Sequence, residues 1–189
     1  MTLAAPALAA LAVVAAGCGR APAAPPSPLP PDAVPIPAGV GPSYRPPATP
    51  PAVAAGRPVN HQRCMPRPGR RFGAHVELIV RGRVLLVPAG IGLAKARRCS
   101  YPLLTRDPAG VVEVARGRTR SLGELFALWG QPLGSVRIGA FRGRVEAFLD
   151  GRRWLGGPAA IPLRPHAVVV LELGRHVPPH AHYVFPPGL

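Results

Sequence analysis

At 189 residues with 28 prolines and 22 glycines, the chain is long enough for one ordinary domain and a further stretch that is not a domain. It carries 23 Lys plus Arg against 8 Asp plus Glu, a formal charge of +15, and Lys95 is the only lysine, the bias expected of a GC-rich genome. The arginines are spread: Arg67, Arg70 and Arg71, then Arg116, Arg118 and Arg120, then Arg142, Arg144, Arg152 and Arg153. Aromatics make up only 5% of the residues, so no basic stripe with interleaved stacking side chains marks a nucleic-acid surface. Attraction to anionic lipid or to an anionic envelope polymer is the partner class that this charge leaves.

The chain begins with an apolar run, Leu3 to Ala16, built of Ala, Leu and Val and followed by Gly17, Cys18 and Gly19. About 14 residues are too few to span a bilayer as a helix, which takes about 20, but they suit the apolar region of a signal peptide. Val14-Ala15-Ala16-Gly17-Cys18 resembles a lipobox, in which small residues precede a cysteine whose thiol is acylated. No Lys or Arg precedes the run, and Ala15 stands where a lipobox more often has Leu. The expectation is a signal peptide over residues 1–17, lipidation at Cys18, and an exported chain anchored through the lipid to the outer face of the cytoplasmic membrane or to the outer membrane. Acylation of Cys18 leaves Cys64 and Cys99, and an exported compartment is one where a disulfide between them persists.

Residues 18–70 read as a lipidated cysteine followed by a tether. Segments such as Ala21 to Pro26 and Pro46 to Pro51 repeat proline without hydrophobic periodicity, and proline favours extended, semi-stiff geometry. The patterned region, 71–189, reads as a single domain. Val76, Leu78 and Val80 alternate with Glu77 and Ile79, Arg81-Gly82-Arg83 turns, and Val84 to Val87 returns, which predicts a hairpin. A third strand follows at Val111 to Val114. Ser121 and Glu124 then form a capping box ahead of Leu122, Leu125, Phe126 and Trp129 on one helical face, with Gly130 as the stop. Val136 to Ala140 and Val145 to Leu149 read as strands, Asp150-Gly151 as a hairpin turn and Arg152 to Leu155 as its return. Ala167 to Leu173 is a β-branched run suited to a central strand covered on both faces. Strands, one helix and more strands define an α+β class, a small and mostly antiparallel β domain with one main helix. A β-grasp-like arrangement, in which a hairpin and later strands wrap the helix, satisfies that order.

The domain is similar to a family of uncharacterised bacterial exported or membrane-anchored proteins. The likeness rests on His75, on Val87-Pro88-Ala89-Gly90-Ile91-Gly92, on Cys99 with Tyr101, and on Thr105 and Asp107 before Gly110. It continues through Ser121 to Phe126, Trp129-Gly130-Gln131-Pro132-Leu133, Ile161-Pro162-Leu163, His166 and Phe185 to Leu189. Members of that family carry histidines before the first strand and a Leu-His-Thr-His segment after the Cys-x-Tyr element, which implies a metal site in them. This chain departs there, with Arg71 and Gly73 ahead of His75, Leu104 and Arg106 around Thr105, and Glu113 where a further histidine is expected. A guanidinium is cationic and cannot ligate a metal, so the resemblance implies that the family's site is lost here.

The remaining metal candidates are His75, which shares a strand face with Glu77 and reads as part of a solvated edge, and His176, His180 and His182 in a polar C-terminal tail. His180 and His182 have the spacing that puts two rings on one side of an extended segment, where copper, nickel or zinc is chelated. No catalytic pairing stands out. Glu124 is accounted for as a cap and Asp150 as a turn, no nucleophile elbow surrounds Ser100 or Ser121, and no phosphate-binding glycine motif is present. The expectation is a non-enzymatic, lipid-anchored binding or interaction domain without a cofactor. A copper- or zinc-binding envelope lipoprotein and a hydrolase with an unrecognised site are the competing classes.

Overall fold

The computed structural model describes Met1, the backbone of residues 37–38, residues 49–67 and residues 69–189. The expected signal peptide, Cys18 and most of the expected tether lie outside the described residues. In chain order the elements begin with β1 (Pro37–Ala38), α1 (Pro51–Ala54), β2 (Arg71–Val80), β3 (Arg83–Leu85), β4 (Leu93–Ala94), β5 (Cys99–Ser100), β6 (Leu103–Leu104) and β7 (Val111–Ala115). They continue with β8 (Arg120–Ser121), α2 (Leu122–Trp129), β9 (Leu133–Gly134), β10 (Arg137–Ile138), β11 (Phe141–Arg142), β12 (Val145–Leu149), β13 (Arg152–Arg153), β14 (Pro162–Leu163) and β15 (Val168–Leu173).

One mixed sheet organises them, in the order β1-β3-β2-β15-β12-β13, with β7 paired to β2 and β6 to β7. The hairpin β2–β3 comes first, α2 follows, and β12, β13 and β15 return so that β15 lies parallel to β2, from Val168 opposite His75 to Leu173 opposite Val80. The class is therefore α+β, with the first and last long strands side by side and a hairpin-type pairing on either flank, the order expected of a β-grasp-like wrap. One stretch differs from expectation. Val136 to Ala140 is not a single strand; β9, β10 and β11 form a small separate meander, because Gly139 (φ +56°) and Gly143 (φ +150°) bend the chain before a longer strand can run.

The alternation of β2 decides where the core sits. Ala74, Val76, Leu78 and Val80 face the same side as Val169, Leu171 and Leu173 of β15 and Val145, Ala147 and Leu149 of β12, and all of these are buried. Against them lies α2 with Leu122, Leu125, Phe126 and Trp129. Each such side chain taken fully from water contributes roughly 1.5–3 kcal/mol, so this layer supplies most of the domain's driving force. The helix starts as its sequence requires: the Glu124 amide donates to Ser121 Oγ at 3.4 Å, and the Ser121 amide donates to Glu124 Oε2 at 2.9 Å. It ends at Gly130 in the left-handed region (φ +69°), where a Cβ would come within 2.6 Å of Pro50. Arg118 and Arg120 close on the same Glu124 carboxylate. Burial alone would push that carboxyl up, but the Ser121 amide and the two guanidiniums outweigh it and hold the group below the ordinary carboxylate value.

The expected domain boundary near residue 71 is corrected. Val53 in α1 is fully buried in the core. The Gln62 amide donates to the Glu124 carbonyl at 3.0 Å, and the Tyr101 hydroxyl donates to the Arg57 carbonyl. Residues 49–67 thus belong to the domain. Their composition hid this, since one buried valine gives no periodicity and their attachment is made by tertiary hydrogen bonds and a covalent bond. That bond is the Cys64–Cys99 disulfide, with the two Cα atoms 5.5 Å apart and a sequence separation of 35. It ties this segment to β5. In the chain-entropy account a loop of this size restricts the unfolded chain by roughly 3–4 kcal/mol. Replacing both cysteines by serine should lower the urea-unfolding free energy by about that amount without changing the far-ultraviolet circular dichroism; a loss below about 1 kcal/mol would contradict the assignment of this bond as a main fastener of residues 49–67.

Candidate functional site

The same alternation that fills the core sends His75, Glu77 and Ile79 of β2 to the opposite face of the sheet. Val168, Val170 and Glu172 of β15 and Glu146 and Phe148 of β12 join them. Register sets their neighbours: Glu77 is paired with Val170, Glu172 with Ile79 on one side and with Glu146 on the other. After β15 the chain turns at Gly174 (φ +97°), and residues 175–189 run back over this face without regular secondary structure. Val177 and Tyr183 pack on the apolar patch of Ile79, Phe148, Val168 and Val170.

Polar pairs pin this strap at intervals. His176 Nδ1 lies 2.7 Å from Glu172 Oε2, and the Val177 amide donates to Glu172 Oε1 at 3.3 Å. His180 Nδ1 lies 3.0 and 3.1 Å from the two oxygens of Glu77. The Tyr183 ring stacks on His75, centroids 3.7 Å apart and nearly coplanar at 12°. Phe185 meets the His166 ring at 4.8 Å, and His166 Nε2–H donates to the carbonyl of Leu189 at 2.9 Å. Gly73 makes room for this end of the strap: a Cβ there would lie 2.7 Å from the Phe185 ring.

Two expectations are thereby corrected. His75 and Glu77 do not form a solvated edge: His75 is 3% exposed. Nor is the histidine-bearing C-terminus a free polar tail. The physical reason is shared, because a central strand with apolar residues on both faces needs cover on both, and among the described residues the strap supplies it through Val177 and Tyr183. His180 and His182 are not presented together. His180 is half-buried on Glu77, whereas His182 is exposed and makes no hydrogen bond among the described residues.

His75 Nε2–H donates to the Ala109 carbonyl at 2.9 Å, which leaves Nδ1 buried without a hydrogen-bond partner, 3.9 Å from Glu77 Oε1. Burial lowers the pKa of this imidazole, and the nearby Glu77 charge and the Ala109 carbonyl recover only part of the shift. At Glu172 burial raises the carboxyl, and His176 and the Val177 amide offset it incompletely.

The positions at which the resemblance places histidines also come together. In the ladder β2–β7–β6, Glu113 is opposite both Gly73 and Leu104. Its carboxylate sits between Arg106, which it meets through two contacts, and Arg71 Nε at 3.8 Å. The Arg71 guanidinium further donates to the Tyr101 and Pro102 carbonyls, each at 2.9 Å, and to Ser100 Oγ at 3.2 Å. An Arg–Glu–Arg cluster therefore occupies this corner.

The other carboxylates have structural work. Asp150 Oδ1 accepts the Val168 amide and Asp107 Oδ1 the Ala109 amide, each at 2.9 Å, and Glu146 pairs with Arg153 at 3.0 Å. Two of the concavities on the described surface lie among basic residues. One, of about 450 Å³, is lined by Asp150, Arg152, Arg153, Trp154 and Arg164; the other, of about 400 Å³, lies beside the disulfide and is lined by Lys95, Arg98 and Arg106. Both are cationic, and neither brings an acid and a base together. No protein-family model, no curated protein and no solved structure matches this chain.

The buried His75 makes a pH prediction. Its folded pKa lies below the usual imidazole value of 6.5, so between the two the unfolded chain binds a proton that the fold does not. Its contribution to stability is full above 6.5 and is lost as pH falls toward the folded value. The His75 ring should titrate below 6.5 by proton NMR, and His75→Phe, which keeps a ring under Tyr183, should flatten the fall in unfolding free energy between about pH 6.5 and 5.

Proposed function

We propose that this chain is an exported, lipid-anchored domain that binds rather than catalyses, and that its ligand is an anionic polymer of the cell envelope. The observation that carries the reading is the groove lined by Arg152, Arg153 and Arg164 together with Asp150 and the half-buried Trp154. Arg153 is engaged by Glu146, while Arg152 and Arg164 are exposed and outside the ion pairs of the described residues. Guanidiniums pair with phosphate or carboxylate, and an indole face suits the sugar or alkyl unit between charges. A concave groove favours a flexible chain over a flat bilayer.

Binding rather than catalysis is supported by the employment of Glu124 in a helix cap, Asp107 and Asp150 in turns, and Glu113 and Glu146 in ion pairs with arginine. Export is supported by the lipobox-like segment ending at Cys18 and by the Cys64–Cys99 bridge, a bond that persists in oxidising compartments. The anchor would hold the domain at the membrane while the proline-rich stretch sets its reach.

Two measurements test these claims separately. Radiolabelled palmitate should enter the wild-type protein and not Cys18→Ser; equal labelling of both would remove the anchor. A polyglycerol-phosphate polymer should bind the protein with an affinity that falls as salt rises, and Arg152→Ala with Arg164→Ala should weaken it by about tenfold. Unchanged affinity in the double variant, or preferential binding to phosphatidylglycerol vesicles over the polymer, would overturn the groove assignment.

A further inference from the structure

At the other side of the sheet from the helix, three potential metal ligands converge where the strap leaves β15. Glu146 on β12 and Glu172 on β15 are Cα partners in an antiparallel ladder and project to the same face. Like charges directly opposite each other destabilise such a pair, and Glu172, at 2% exposure, has little water to screen it. The turn at Gly174 then brings His176 back over the pair, with Nδ1 2.7 Å from Glu172 Oε2. One ligand atom from each of Glu146, Glu172 and His176 lies within 4.8 Å of the others. We infer that these three side chains form a zinc site.

The donor set suits the ion. Carboxylate oxygen and imidazole nitrogen are both ligands that zinc takes at about 2.0–2.2 Å, and three protein ligands with a fourth position open to water complete its tetrahedron. Calcium takes six to eight oxygens and magnesium keeps near-ideal octahedral geometry with several waters, and three ligands including a nitrogen serve neither well. Glu172 is already oriented, since its Oε1 accepts the Val177 amide at 3.3 Å and its Oε2 is turned toward His176. Metal-ligating carboxylates are commonly fixed by such an outer hydrogen bond. The His176 side chain is 57% exposed, so the proton that Nδ1 gives up on ligation can be carried by Nε2 at the solvent side.

Zinc has a built-in competitor. Arg153 Nη2 lies 3.0 Å and Arg144 Nε 3.8 Å from Glu146 Oε1, and both side chains are largely exposed, at 53% and 79%. They neutralise Glu146 in the absence of metal and can swing into water when the ion enters. The site therefore binds in exchange for a guanidinium contact. Zinc would also fix the start of the strap to two strands at once. This inference does not rest on the polymer groove, although Arg153 borders both.

Isothermal titration of the tag-free protein with zinc chloride tests it, alongside four variants. The wild type should take up one zinc ion with micromolar affinity. Glu172→Gln and His176→Ala should each weaken binding by at least about tenfold; His176 is exposed, so its alanine variant keeps the fold, as circular dichroism will verify. Arg153→Gln should tighten binding, an outcome that general damage to the fold cannot produce. The pair His180→Ala with His182→Ala should leave the affinity unchanged. No binding by the wild type below millimolar zinc, unchanged affinity in His176→Ala, or loss of binding in the His180 and His182 pair would overturn the site.

Discussion

The parallel pairing of β2 with β15 is the contact on which the rest of the domain depends. It places the first and last long strands of the sheet at its centre, and each of them carries apolar side chains on both faces. A strand in that position cannot leave one side to water, so two separate coverings are needed. On one side α2 supplies an amphipathic face that its capping box and Gly130 delimit. On the other the cover is an irregular strap, and an irregular strap brings backbone and side-chain polar groups over an apolar patch.

That difference accounts for the chemistry of the second face. A helix satisfies its own backbone, so the core beneath α2 is almost wholly hydrocarbon. Residues 175–189 have no such internal ladder, and their attachment is made by discrete polar and aromatic contacts: His176 on Glu172, His180 on Glu77, Tyr183 on His75, Phe185 on His166. Burying a carboxylate or an imidazole is unfavourable unless it is paired, which is why acids and bases alternate along the seam. On this face burial also moves titratable groups from their ordinary values, lowering His75 and raising Glu172.

Electrostatics outside the seam follow from scarcity. With 8 acidic residues against 23 basic ones, the carboxylates are drawn into fixed structural roles and the surplus of guanidiniums is left for the surface. Glu113 binds two arginines, Arg71 and Arg106, and Glu124 two more, Arg118 and Arg120. What remains exposed around Trp154 and around Lys95 is cationic by default.

Much of this was written locally. The β2–β3 hairpin, the Ser121–Glu124 cap, the Asp150-Gly151 turn and the β-branched run of β15 are each fixed by side-chain period or by backbone preference over a few residues, and such signals survive in a linear reading. The Cys64–Cys99 bond was legible from the number of cysteines and the expected compartment. What tertiary structure alone decided is which segments those elements recruit. Residues 49–67 contribute one buried valine and some hydrogen bonds, too little to form a pattern, and the strap carries its contacts at intervals dictated by the sheet beneath it and not by any period of its own. The gathering of Glu146, Glu172 and His176 is of the same kind: two of the three are far apart in sequence, and only the register of β12 on β15 makes them neighbours.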